Sequence, residues 1–309
     1  MAGLRSILGS AELTVGCAAL VLLCSTTTSA AQDSSTYYTV MHPGEFTINW
    51  KSFYDNGDRM TTETRKELPH HLGIPYGTDP KHKLDIYQPK EKGALSPVFI
   101  FLHGGGMREG DRAHYGWVAR PFAKRSVVTV IASYRLIPRF SYPDQPDDVR
   151  RVVAWTYANI KSFGGDPARI FIGGHSAGAI LSATVAVRND WTARMSLPRD
   201  VIKGFVPVSG SYDVTASQTV SEYVPDPTKR VEASPLLSID GPLPPAVISV
   251  GSVERQLAGS RALADKLSEK GGKANLLVLE GLEHDATALA MADESSPLCK
   301  AILSLITGR

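Results

Sequence analysis

A chain of 309 residues, 43 % of them hydrophobic, has length and apolar content for a sizeable core, as one large domain or two small ones. Its 33 basic and 31 acidic residues leave a net charge of +2, and no basic stripe interleaves with aromatics, so nothing points to nucleic acid as a partner. A charged content of 21 % is ordinary for a folded protein and excludes a highly charged disordered class.

The first 31 residues differ in character. Arg5 precedes an apolar run from Leu13 to Cys24, and small residues follow to Ala31. That order describes a secretory signal peptide, with cleavage expected after Ala30 or Ala31. The run is short for a membrane span, so no stable membrane anchor is expected. Leu23 stands before Cys24 where a lipoprotein signal would have a small residue, so export without lipidation is expected. A secreted or periplasmic mature chain would keep Cys299 alone, which precludes an intramolecular disulfide.

Residues 32–45 are polar and read as a flexible leader, the start of an N-terminal segment, 32–71, ahead of the catalytic domain expected over 72–309. From Thr47 to Leu68 one or two helices are expected, with Gly57 as an interruption and Pro69 and Pro75 as terminators. This element would either cover a sheet edge or act as a lid. Lys83 to Tyr87 alternates as a strand, and Pro97 to Leu102 is continuously apolar, as a strand buried on both faces should be. A helix over 113–125 and a buried strand from Val127 to Ser133 follow. Pro138 to Pro146 reads as a loop, and Asp147 and Asp148 as the opening turn of a helix through Ile160. Beyond lie a buried strand from Arg169, an apolar helix after Gly178, and a strand over Gly204 to Val208. Residues 210–243 lack a period and hold four prolines. A strand over Pro245 to Val250, a helix over Leu257 to Lys270, a strand over Ala274 to Leu279 and a closing helix over 287–306 complete the chain. Strands alternating with helices predict an α/β fold with a mostly parallel, doubly wound sheet, helices on both faces and a small cap.

Four features carry chemistry, and each follows a predicted strand, at the sheet edge where open α/β sheets bind ligands. Gly174-His175-Ser176-Ala177-Gly178 has the strand-before, helix-after context of a nucleophile elbow, which lifts a serine hydroxyl above the sheet. His103-Gly104-Gly105-Gly106 lets a bare backbone approach a substrate closely. The N–H groups of Gly105 and Gly106, with that of Ala177, would form an oxyanion hole, and His103 would brace the loop. His284 is the candidate general base, and Glu254 the candidate carboxylate that orients it. Asp213, after the strand that follows the elbow, is the rival acid. No spacing suggests metal ligands, and no cofactor is implied.

Together these motifs resemble those of α/β-hydrolase carboxylesterases, in the hormone-sensitive-lipase-like and feruloyl-esterase-like group. Leu84-Asp85-Ile86-Tyr87, Tyr134-Arg135-Leu136 with Tyr142-Pro143, and Gly164-Gly165-Asp166-Pro167 add to the resemblance, which spans about residues 72–306. It implies a serine esterase acting on small to medium carboxylic esters through an acyl-enzyme on Ser176. Two features depart from the group: glutamate stands where aspartate is usual, and the insertion before it is short, implying a small cap and an open pocket. An arylformamidase-type amidase shares the glycine loop and is the alternative. A non-catalytic ligand-binding scaffold would usually lack one of the three catalytic side chains, all of which have candidates here. The motifs leave acyl and alcohol preference open, and oligomeric state with them.

Overall fold

The computed structural model describes residues 38–42, 45–48, 50–91, 93–215, 220–241 and 243–308. The expected signal peptide over 1–31 lies outside the described residues. The expected polar leader instead contains a hairpin: β1 (Tyr38–His42) pairs antiparallel with β2 (Glu45–Ile48).

The helix expected near residues 47–68 is α1 (Trp50–Glu67), in one piece. Gly57 does not interrupt it. The glycine is buried where α1 crosses another segment, and a Cβ there would stand 2.7 Å from the His114 carbonyl oxygen. Close approach, rather than a break, is what glycine serves at this position. Aromatic and ionic contacts hold α1 down. Tyr54 lies 4.7 Å from the His114 ring, His114 Nδ1 meets Asp58 at 2.7 Å, and Arg120 pairs with Glu67. Beyond Leu68 the chain forms β3 (His70–Pro75), an edge strand with no counterpart among the sequence expectations. Its side chains are half-exposed and do not alternate, and its register slips between His71 and Ile74, so the period-2 signal is lost.

The main sheet continues with β4 (Lys83–Tyr87) and β5 (Ser96–Leu102). The helix expected over 113–125 is two short 3₁₀ turns, Arg112–His114 and Gly116–Val118, followed by α2 (Ala119–Ala123). Next come β6 (Val128–Ala132) and α3 (Asp144–Asn159). Helix α3 starts three residues before the expected Asp147. Pro146 sits in its first turn, where an amide proton is not needed. Asp148 consequently belongs to the second turn and is fully buried. There it accepts hydrogen bonds from the Arg135 guanidinium and main-chain N–H, and meets His82 Nε2 at 2.9 Å. This buried pair fastens the Tyr134-Arg135 loop to α3.

The chain proceeds through β7 (Gly165–His175), α4 (Ala177–Ala186) and β8 (Ile202–Val208). Among its described residues the insertion contains two four-residue helices, α5 (Val220–Tyr223) and α6 (Arg230–Ala233), and a 3₁₀ turn, Pro227–Lys229. Then come β9 (Ala246–Gly251), α7 (Leu257–Glu269) and β10 (Ala274–Leu279). The single closing helix expected over 287–306 is two, α8 (His284–Ala290) and α9 (Pro297–Thr307). Ser296 caps α9 by accepting from the Cys299 N–H, with Pro297 at the first helical position, a start signal visible in the sequence.

The eight-stranded sheet has the order β10-β9-β8-β7-β5-β6-β4-β3. All neighbours are parallel except β3 with β4 and β4 with β6. Alternate residues of β5 supply two cores. Val98, Ile100 and Leu102 pack with residues of α3, α4 and α7; Phe99 and Phe101 pack with residues of α1, α2 and α9. Each such fully buried side chain contributes about 1.5–3 kcal/mol. The chain passes from β5 to β6 on one side and then to β7 on the other, so the strand order reverses at β5. In open α/β sheets such a reversal is where a ligand crevice forms, here between the loops that leave β5 and β7.

Candidate active site

The loop leaving β7 puts Ser176 in that crevice. Its φ of 55° and ψ of −114° lie in a region non-glycine residues rarely occupy. The surroundings enforce the strain. Ser176 N–H donates to Val208 O at 2.9 Å. The flanking Gly178 is pressed so closely to β5 that a Cβ would come within 2.1 Å of the Leu102 carbonyl oxygen. The serine therefore projects at the start of α4, where the helix dipole favours negative charge.

Ser176 Oγ donates to His284 Nε2 at 2.8 Å, and His284 Nδ1 lies 2.7 Å from Glu254 Oε2. The three predicted side chains thus form one hydrogen-bonded relay across residues 108 positions apart. His284 comes from the start of α8, and Glu254 from the loop after β9. Both are nearly buried, at 6 % and 5 % exposure. The second Glu254 oxygen accepts from Ser209 Oγ and from Gly251 N–H, each at 2.7 Å. A carboxylate with three donors has little freedom to turn. The rival Asp213 is engaged in its own turn, accepting from the Thr215 N–H and hydroxyl. It is Glu254 that reaches His284.

The glycine loop leaves β5 beside the serine. A Cβ on Gly104 would lie 3.3 Å from Ser176 Cβ. Gly105 and Gly106 both have positive φ, 108° and 59°, and Gly105 O accepts from the Arg108 and Glu109 amides. The N–H of Ala177 is among the unpaired donors of the first turn of α4. His103 sits under the loop as expected: Nδ1 donates to Gly104 O at 2.7 Å, while Tyr134 stacks on the ring at 4.4 Å and its hydroxyl donates to His103 O. Burial pushes the His103 ring down to about 4, so it stays neutral.

Three residues near this relay escaped the reading of the sequence. Ser209 has a positive φ of 56° at the end of β8, the same strand-end signal that marked the others. Its hydroxyl also lies 2.7 Å from Thr287 Oγ1, and that hydroxyl donates to the main-chain oxygen of His284 at 2.6 Å. The third is His175, inside the elbow motif itself. Its ring turns to the His284 main chain, with Nε2 at 2.8 Å from that oxygen. Nothing in the local pattern announces this contact, which joins positions 109 apart.

Cys299 is buried, and burial pushes its thiol up to about 12, which makes it a poor nucleophile. Among the described residues no cluster of His, Cys, Asp and Glu could hold a metal ion, and no helix is long and apolar enough to cross a membrane. A cavity of about 350 Å³ lies at the far end of the sheet, by Trp191, Ile202 and Pro245, where β8 and β9 begin. Its Arg188 and Lys203 already pair with Asp190, Glu232 and Asp200, and it is remote from Ser176.

Solved structures share this architecture. An esterase from Pyrobaculum calidifontis aligns with a TM-score of 0.69 at 21 % identity, covering 84 % of this chain and 92 % of the other. A carbohydrate esterase from gut microbiota also gives 0.69, at 19 % identity, over 78 % of this chain and 95 % of the other. Similar sequences include the isoprenylcysteine alpha-carbonyl methylesterase ICME of Arabidopsis thaliana, 24 % identical over 80 % of this chain and 61 % of that protein. Esterase LipC of Mycobacterium tuberculosis is 27 % identical over 82 % and 71 %. The kynurenine formamidase of Salmo salar is 33 % identical over 52 % of each. The chain spans less than two thirds of the length of the isoprenylcysteine methylesterases it matches. The profile of the alpha/beta hydrolase fold matches residues 99–288, from within β5 to within α8, more than half of the sequence and all of the relay. The chain belongs to the α/β-hydrolase fold family.

Proposed function

We propose that the protein is a serine esterase that hydrolyses small to medium carboxylic esters. The observation that carries this reading is the relay from Ser176 through His284 to Glu254, with the serine held at positive φ over the crevice. His284 Nε2 takes the Ser176 proton as Oγ attacks the ester carbonyl, and Glu254 stabilises the imidazolium. The N–H groups of Gly105, Gly106 and Ala177 receive the oxyanion. Collapse expels the alcohol, which takes its proton from His284 and leaves the acyl group on Ser176. Water, deprotonated by the same nitrogen, then attacks the acyl-enzyme and releases the acid. No cofactor takes part. The esterases among the similar proteins support the reaction class. The sequence of residues 1–31 supports export, to the periplasm or beyond.

A second reading is amide hydrolysis of the arylformamidase type, favoured by the similarity to the salmon kynurenine formamidase. The same relay could protonate an anilide nitrogen. Side-by-side rates on p-nitrophenyl acetate and a formanilide separate the two. An ester rate (kcat/KM) exceeding the anilide rate by 100-fold or more is expected; a faster anilide would overturn the ester reading.

A further inference from the structure

His175 has no part in the reaction as just described, yet it is 1 % exposed and touches both halves of the site. On one edge, Nε2 is 2.8 Å from the His284 main-chain oxygen. A carbonyl only accepts, so in the neutral ring Nε2 carries the proton and Nδ1 carries none. Burial, reinforced by His284 nearby, holds the His175 ring well below the ordinary imidazole range, so it remains neutral. On the other edge, Nδ1 stands 3.0 Å from where a Cβ on Gly104 would be. Gly104 is the root of the glycine loop. The faces of His175 and His284 approach as well, with ring centroids 4.6 Å apart at 46°.

We propose that His175 is a positioning residue: it fixes the catalytic histidine through its main-chain carbonyl and props the root of the glycine loop, so that base and oxyanion donors keep their places about Ser176. The proposal rests on the reading of Ser176 and His284 as nucleophile and base. His284 opens a helix of only seven residues, so its own element holds it weakly. Its carbonyl accepts from the Thr287 hydroxyl of the same helix and, from outside that helix, from His175 Nε2. Neutrality is part of the role. Positive charge develops on His284 as Ser176 is deprotonated, and a second cation 4.6 Å away would oppose it. A lysine or a protonated histidine could donate to the same carbonyl but would raise the barrier.

Two replacements separate the donor from the prop. His175→Phe keeps a ring against Gly104 but cannot donate. His175→Gln places an amide N–H about where Nε2–H stands. On p-nitrophenyl acetate, His175→Phe should lower kcat about 10- to 100-fold with KM changed less than about threefold, as loss of one buried hydrogen bond implies. His175→Gln should return kcat to within about threefold of wild type at the same folded fraction. Wild-type kcat in His175→Phe, or no gain from Gln over Phe, would overturn the proposal. If neither variant folds, ¹⁵N NMR of the wild-type imidazoles decides. A His175 ring protonated on Nε2 and not titrating between about pH 5 and 9 is expected; titration in that range, or a proton on Nδ1, would overturn it. Ser176→Ala measured alongside separates the two levels. If it retains turnover, the underlying reading fails. If turnover depends on Ser176 while His175→Phe is unimpaired, only the proposal for His175 fails.

Discussion

Asp285, the residue after His284, is fully buried, and neither of its carboxyl oxygens has a hydrogen-bond partner. Burial pushes its carboxyl up to about 7; Glu254 and Glu283 add to the rise and His284 opposes it. The folded protein therefore holds a proton here that the unfolded chain releases near 3.8. Folding stability should fall as pH rises from about 4 to 7, by up to roughly 4 kcal/mol, and then level off. Asp285→Asn removes the ionisation. Its melting temperature should exceed that of wild type at pH 8 by more than it does at pH 5; equal differences at both pH values would show that Asp285 is ionised in the fold without penalty. At this scale the sequence was legible where a motif or a titratable side chain follows a strand, and not at Ser209, a lone serine in the same kind of position. Ser176, Glu254 and His284 were found that way, and the choice of Glu254 over Asp213 needed the three-dimensional contact. His175 and Thr287 were not legible, because their roles lie in hydrogen bonds to the main chain of a residue distant in sequence.

Strands were read well where they are regular, including the edge strand β10, and poorly where the register slips. The continuous apolar runs of β5, β6 and β9 gave their own positions, whereas β3, an exposed edge with a register slip, carried no period. Helix starts erred at two prolines: Pro146 was assigned to a loop, and the closing helix was expected to run straight through Pro297. Pro146 and Pro297 both sit in first turns, and the order of Ser296 before Pro297 separates α9 from α8. The early start of α3 matters because it sends Asp148 inward, to Arg135 and His82. Asp148→Asn would take the buried carboxylate from Arg135, which keeps its outer partner Asp144. The substitution should lower the unfolding free energy by about 1.5–3 kcal/mol in urea titrations, as loss of charge-assisted hydrogen bonds implies. A loss below about 1 kcal/mol would mean that the Arg135 loop is held by packing alone.

At the scale of the whole described domain, strand order explains why distant segments meet. Parallel strands place all their carboxyl ends on one edge, and the reversal of order at β5 leaves a gap there. The glycine loop and Ser176 flank that gap directly. Glu254 and His284 arrive from β9 and from the start of α8, two and three strands further along the same edge. Alternation of strands and helices made this architecture legible in the sequence. Substrate preference was not, since the aperiodic segment 210–243 offers no period from which side chains could be placed. The central claim is that acyl transfer proceeds through Ser176. Intact-protein and peptide mass spectrometry after rapid quenching of a p-nitrophenyl acetate reaction tests it most directly. A single acetyl group on Ser176 is expected in the wild type, with neither adduct nor turnover in Ser176→Ala. An acetyl group on another residue, or turnover preserved in Ser176→Ala, would contradict it.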